Sequence, residues 1–74
     1  MTDRRTFPPP WTVDDTTSRE SFIIRDAKGQ ALCFLYYEDE NVRRMFMERL
    51  TRDEARRIAV NIAKIPDLLK RPQY

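Results

Sequence analysis

The side chains best suited to binding a ligand are arginines concentrated in one segment of the chain. They are Arg43, Arg44, Arg49, Arg52, Arg56 and Arg57, and only three acidic residues lie among them. Arginines grouped in this way suit phosphate oxygens, and each contact with a nucleic acid would release condensed counterions. One hypothesis is therefore a nucleic-acid-binding surface. A solvated helix face is the simpler interpretation, because Asp53 lies four residues before Arg57 and neutralises part of the patch.

No other residue type indicates catalysis. The chain has no histidine, one cysteine and one glycine. The missing histidine argues against Ser-His-Asp and Cys-His arrangements and against most metal sites. A single glycine is too few for a glycine-rich phosphate loop. We therefore predict a non-enzymatic protein with no catalytic residue, no cofactor and no metal.

Length and composition restrict the class of protein further. The chain has 74 residues, of which 41% are hydrophobic and 35% charged, and its net charge is +2. This suits one small globular domain, and no apolar run reaches the roughly 20 residues of a membrane span. Prolines stand where a secretory signal would be apolar, and Cys33 is unpaired, so we expect a cytoplasmic location.

A β-meander is predicted for the first half of the chain. Residues 1–10 form a proline-rich arm, and β-type residues then follow at Trp11–Asp14, Ser21–Arg25 and Ala31–Tyr37. The sequence Asp26-Ala27-Lys28-Gly29 indicates a hairpin turn with glycine at the position of positive φ.

One helix is predicted to follow the strands. Thr51-Arg52-Asp53-Glu54 has the pattern of a capping box, and Pro66 favours a helix end nearby. An apolar stripe runs along this helix through Ala55, Ile58, Ala59, Ile62 and Ile65. The expected fold is α+β, a three-stranded antiparallel meander packed against one C-terminal helix, with 11–69 as a single β-β-β-α domain and 70–74 as a tail.

Residues 40–49 are compatible with two local structures. Val42, Met45 and Phe46 recur at helical spacing, and Asp39 could cap such a helix. The run from Arg44 to Glu48 also alternates as a strand does. We favour a short helix here.

The predicted turn implies a strand register. If Asp26 faces Gln30, then Ile24 faces Leu32 and Phe22 faces Phe34, and these side chains form the core face. The opposite face would then be half apolar and in need of a cover, either the Pro-Trp arm or a partner subunit. We predict that it mediates self-association, or binding of another protein, through Ile23, Cys33, Leu35 and Tyr37, with Trp11 beside them.

Three stretches of sequence are similar to a known group of proteins. They are Pro8-Pro9-Pro10-Trp11, the run from Arg25 to Leu32, and the run Leu-Thr-Arg-Asp-Glu-Ala-Arg-Arg-Ile-Ala at 50–59. Together they resemble short bacterial proteins of unknown function, over about residues 7–69. The resemblance implies no activity, ligand or functional residue. The primary expectation is therefore an interaction module that self-associates, and the alternative is nucleic-acid binding through the arginines.

Overall fold

A computed structural model describes residues 6–70 and confirms the α+β class. Three antiparallel strands form one sheet in the order β1-β2-β3. The elements are β1 (Thr12–Asp14), β2 (Ser21–Arg25), β3 (Ala31–Tyr36), α1 (Asn41–Met47), α2 (Arg52–Ala63) and α3 (Ile65–Leu68). Each strand lies within a residue of its predicted bounds.

The turn between β2 and β3 has the predicted geometry. The Gly29 N–H donates to the Asp26 carbonyl at 3.0 Å. Gly29 has a φ of +90°, a backbone conformation in which any residue with an L side chain would be strained. The Asp26 carboxylate accepts the N–H groups of Lys28 and Gln30, each at 2.9 Å. These bonds hold the loop in one conformation and set Asp26 opposite Gln30.

A second irregularity then shifts the register beyond the turn. Arg25 still lies opposite Ala31, as the turn requires, but Ile24 lies opposite Cys33. Leu32 is therefore an extra residue on β3, which is the defining feature of a β-bulge. The register predicted from the turn alone is wrong from this point on, because a one-residue shift turns every later side chain to the other face.

The bulge overturns the predicted outer face. Four of its five residues pack instead against the buried cluster between the sheet and α2, and these are Trp11, Cys33, Leu35 and Tyr37. Only Ile23 is on the outer face, where its β3 partner is Phe34. Phe34, predicted to be a core residue, is half exposed, as is Tyr36 on the same face.

The core forms where α2 crosses β2. Phe22 and Ile24 are buried against Ala55 and Ala59 of the helix. Alanine carries no atom beyond Cβ, so the helix backbone can lie close to the sheet. Thr51 begins the helix with the predicted capping box.

The capping box is complete in both directions. The Thr51 hydroxyl accepts the Glu54 N–H at 3.1 Å, and the Glu54 carboxylate accepts the Thr51 N–H at 2.9 Å. At the other end, α2 gives way to the short α3, which has Pro66 in its first turn. This further helical turn, Ile65–Leu68, includes Pro66.

Residues 41–47 are helical, so the strand alternative for this segment is wrong. Glu40, rather than Asp39, is the N-cap. Asp39 serves the next helix instead, because its carboxylate accepts the N–H of Arg52 at 2.9 Å. None of the residues of α1 is buried.

The described part of the arm is fastened to the hairpin. The Trp11 indole N–H donates to the Phe7 carbonyl, and the Ala27 N–H donates to the Pro8 carbonyl, both at 2.9 Å. The predicted arm and tail extend to residues 1–5 and 71–74, which lie outside the described residues. Among the helices in residues 6–70, none has the length and apolar character needed to cross a bilayer.

The bulge predicts an order of stability for two variants. Leu35→Ala should lower the free energy of unfolding by about 2 kcal/mol, near the lower end for truncating a core leucine. Phe34→Ala should lower it by less, because half of the Phe34 surface is already in water. Urea unfolding followed by circular dichroism measures both. A larger loss for Phe34→Ala would instead support the register without the bulge.

Candidate interaction surfaces

The outer sheet face carries two neighbouring aromatic side chains. Phe34 and Tyr36 are 49% and 46% exposed, with ring centroids 6.3 Å apart and ring planes inclined by 17°. Their β2 partners, Ile23 and Ser21, are only 2% and 1% exposed. The central strand is thus already covered on this side, and what remains open is a small aromatic pair.

Charged pairs lie beside these rings. Arg25 pairs with Asp14 at 2.9 Å, and Arg49 pairs with Glu20 at 3.4 Å. The Arg49 guanidinium also lies 5.0 Å from the centroid of the Tyr36 ring. Each cation here has an anion, so this face combines two aromatics with balanced charge. It is a poorer apolar interface than the sequence predicted.

Asp14 is held as a carboxylate by its neighbours. Its oxygens accept the Thr17 hydroxyl at 2.6 Å, the Thr16 N–H at 2.9 Å and the Arg25 Nε–H at 2.9 Å. The Thr17 hydroxyl contributes most, and together these bonds hold the pKa of Asp14 well below its ordinary range. This cluster fastens the edge strand β1 to β2 and to the loop that follows β1.

The arginines of α1 are engaged close to their own helix. Arg43 Nη1 lies 3.8 Å from a Glu38 carboxylate oxygen. Arg44 donates to the Asn41 side-chain oxygen at 2.7 Å and to the Glu38 carbonyl at 3.4 Å. Both guanidinium groups therefore serve the segment that leads into α1.

Two arginines of α2 also have partners within the chain. Arg52 lies over the rings of Phe22 and Tyr37, with its guanidinium carbon 5.2 and 5.8 Å from the two centroids. Arg57 pairs with Asp53 at 3.2 Å, as the spacing predicted.

Arg56 differs from the other five arginines of the predicted patch. It is exposed, and within residues 6–70 it is the one member with no ion pair, hydrogen bond or ring contact. The segment thus offers several partnered guanidinium groups and one free charge rather than a uniformly basic face. A phosphate backbone would have to compete for most of these groups.

Within residues 6–70, the two most exposed large apolar side chains, Met45 and Phe46, lie on α1. Val42, Met45 and Phe46 are 59%, 77% and 86% exposed and together line one hollow on the helix surface. We call these three residues the α1 stripe. Their spacing indicated a helix but not that the helix would turn its apolar face to solvent.

Hydrogen bonds at its two ends, rather than hydrophobic contacts, stabilise α1. The Glu40 carboxylate accepts the backbone N–H groups of Arg43 and Val42, and these two bonds lower the pKa of Glu40. At the other end Glu48 has φ of 54°, and its N–H donates to the Arg44 carbonyl. This left-handed conformation ends the helix.

A second hollow opens on α2, where Ile58 remains 41% exposed although it belongs to the apolar stripe of that helix. The hollow measures about 380 Å³ and is lined by Leu50, Glu54, Arg57, Ile58 and Asn61. We call it the Ile58 hollow. Sequence patterns did not indicate it, because the periodicity of α2 assigned Ile58 to the core.

Cys33 offers little chemistry in this environment. It packs against the core cluster, and burial raises the pKa of its thiol, so the nucleophilic thiolate is disfavoured. Within the described residues, no three His, Cys, Asp or Glu side chains are grouped as metal ligands. The α1 stripe, the Ile58 hollow and the aromatic pair are thus open surfaces of the described residues. A further cavity of about 310 Å³ is lined by Pro9, Pro10, Trp11, Ala63, Pro66, Asp67 and Lys70.

Comparison with protein-family models, with curated proteins and with solved structures finds no match for this chain. The resemblance to short bacterial proteins therefore stays a prediction.

The Asp14 cluster predicts a pH-dependent contribution to stability. Because the folded-state pKa lies below the unfolded value of about 3.9, the contribution is complete above roughly pH 5 and falls away as the solution is acidified. Asp14→Ala should therefore lower Tm most near neutral pH, and the gap to the parent should narrow below about pH 4. Asp15→Ala, at the exposed neighbour, is the control. A gap that widens with acidification would contradict the cluster.

Proposed function

We propose that this protein is a small, non-enzymatic interaction module that binds a second copy of itself through the α1 stripe. The observation that carries the proposal is the exposure of three adjacent large apolar side chains on a helix that buries none of its residues. The unpaired Cys33, packed against the core, supports a reducing compartment, and we place the module in the cytoplasm.

The stability of α1 supports a partner. A helix of seven residues is marginal in water, because propagation barely offsets the cost of nucleation. Helices in proteins are stabilised mainly by packing of an apolar face, which α1 lacks in a single chain. Covering its stripe would gain about 25 cal/mol for each Å² of apolar surface removed from water.

The composition of the stripe suits an interface. Contiguous exposed apolar patches mark interaction sites more often than scattered apolar residues do. Aromatic and methionine side chains, here Phe46 and Met45, are enriched at protein interfaces. A methionine also adapts its shape to a partner, because its side chain is unbranched and flexible.

A second copy is the occupant that the size and charge of the chain favour. Across residues 6–70 the fully buried apolar side chains are few, namely Phe22, Ile23, Ile24, Ala55 and Ala59. Domains below about 80 residues commonly gain the burial they lack by oligomerising. Around α1 two acidic residues, Glu40 and Glu48, offset Arg43 and Arg44, so two copies meet without net repulsion.

This proposal keeps the predicted self-association and moves its site. The sequence pointed to an apolar outer sheet face, but the bulge turns most of those residues toward α2. The apolar surface left in solvent is greater on α1 than on the sheet.

Replacing Phe46 tests the proposal. The parent should be a dimer whose mass depends on concentration, and Phe46→Asp should be a monomer at the same concentrations, because a charge in the interface would lose its hydration. Sedimentation equilibrium gives the masses, and far-ultraviolet circular dichroism checks the fold. Leu68→Asp, at an apolar residue of α3 that is 73% exposed against 86% for Phe46, is the matched control and should still dimerise. A parent that stays monomeric at high concentration would refute the proposal.

Nucleic-acid binding through the arginines is the alternative function, and a salt titration distinguishes it from self-association. We expect no salt-dependent binding of random-sequence DNA or RNA, since most of the guanidinium groups have partners within the chain. Fluorescence anisotropy at low salt gives the alternative its best chance. Binding whose salt slope implies several phosphate contacts, and which Arg56→Glu with Arg57→Glu abolishes, would replace self-association as the function.

A further inference from the structure

We infer that the dimer is reciprocal, with the α1 stripe of each copy seated in the Ile58 hollow of the other. This inference rests on the proposed function and adds to it the surface that receives the stripe. Each copy would then give one helix and accept one helix.

The floor of the Ile58 hollow is apolar and partly exposed. Ile58 lies between Ala55 and Ile62 on the apolar stripe of α2, yet 41% of it is exposed. Leu50 adds a second apolar side chain beside it. The chain thus has an apolar depression without a cover, in addition to the exposed apolar side chains of the α1 stripe.

The volume of the hollow suits apolar side chains such as those of the α1 stripe. The hollow is open and measures about 380 Å³, within the range in which proteins hold compact apolar groups. Met45 and Phe46 are the most exposed large apolar side chains of α1 and are adjacent in sequence. One flat ring and one flexible thioether can fill an irregular depression of this size.

The charge at the rim of the hollow favours a second copy of the chain over an unrelated partner that is strongly acidic or basic. The hollow is bordered by Glu54 and Arg57, one anion and one cation. The helix to be received carries Arg43 toward its beginning and Glu48 at its C-cap. Arg57 already pairs with Asp53, and Glu54 belongs to the capping box of α2, so the rim presents balanced charge. A rim of balanced charge favours a helix that is itself balanced, as α1 is, over a strongly charged partner.

Symmetry allows both contacts to form at once. The stripe ends at Phe46 and the hollow begins at Leu50, so the two surfaces belong to one region of the chain. A two-fold axis between such regions uses each surface once in each copy and closes the assembly as a dimer. Non-reciprocal use of the same surfaces would leave one stripe and one hollow open and would extend into a chain of copies.

Mixing two variants tests this arrangement. Phe46→Asp disrupts the stripe, and Ile58→Lys disrupts the hollow. The new lysine would lie four residues after Glu54, a spacing at which the two charges stabilise the helix. Each variant alone should dimerise at least tenfold more weakly than the parent. An equimolar mixture should form a heterodimer of intermediate affinity, because one intact stripe then meets one intact hollow.

Two further variants distinguish an effect at the hollow from an effect elsewhere on α2. Arg56→Glu alters an exposed residue of α2 outside the hollow and should dimerise like the parent. Ile58→Ala removes the side chain without adding charge and should also weaken the dimer, which keeps the test decisive if the lysine variant does not fold. Sedimentation velocity measures the assemblies, with circular dichroism as the check on folding.

The outcomes distinguish this inference from the proposed function. If Phe46→Asp is monomeric while both Ile58 variants dimerise like the parent, the hollow is not the seat and self-association through α1 stands. If the parent itself is monomeric, the proposed function fails and the inference with it. A parent mass that rises with concentration beyond a dimer would overturn the reciprocal closure. Recovery of the heterodimer in the mixture would support both.

Discussion

A single extra residue in β3 decides which side chains face α2. The turn holds Asp26 opposite Gln30, and the bulge at Leu32 then advances the rest of the strand by one position. Side chains alternate between faces along a strand, so this shift brings Leu35 into the core and turns Phe34 to solvent. A leucine fits this position of the core, because Ala55 and Ala59 leave room for aliphatic side chains beneath α2.

The exposure of α1 follows from how its flanking residues are fixed. The Glu38 N–H donates to the Leu50 carbonyl at 2.8 Å, and Tyr37 forms an isolated bridge with Leu50. The chain therefore leaves the sheet and returns to it at nearly the same point. Between these contacts α1 lies in a connecting segment that is capped at both ends and does not pack on the core. The apolar stripe of this helix is therefore available to a partner.

The arginines illustrate how composition and placement can diverge. A count along the chain finds a basic segment, but the guanidinium groups are spread over different parts of the fold. Arg49 lies against Tyr36 on the outer sheet face, while Arg52 lies over Phe22 at the edge of the core. Surface ion pairs of the kind formed by Arg57 contribute little to stability, about 1 kcal/mol or less, yet they reduce the charge offered to a phosphate.

Local rules determined much of this protein from its sequence. The turn at Gly29, the capping box at Thr51 and the helical spacing of α1 each depend on residues within a few positions of one another, and each agrees with the fold. The faces of β3 and the exposure of Ile58 and the α1 stripe were decided only in the tertiary structure. A bulge and the path of a connecting segment are selected by packing between distant residues, which periodicity along the chain does not contain.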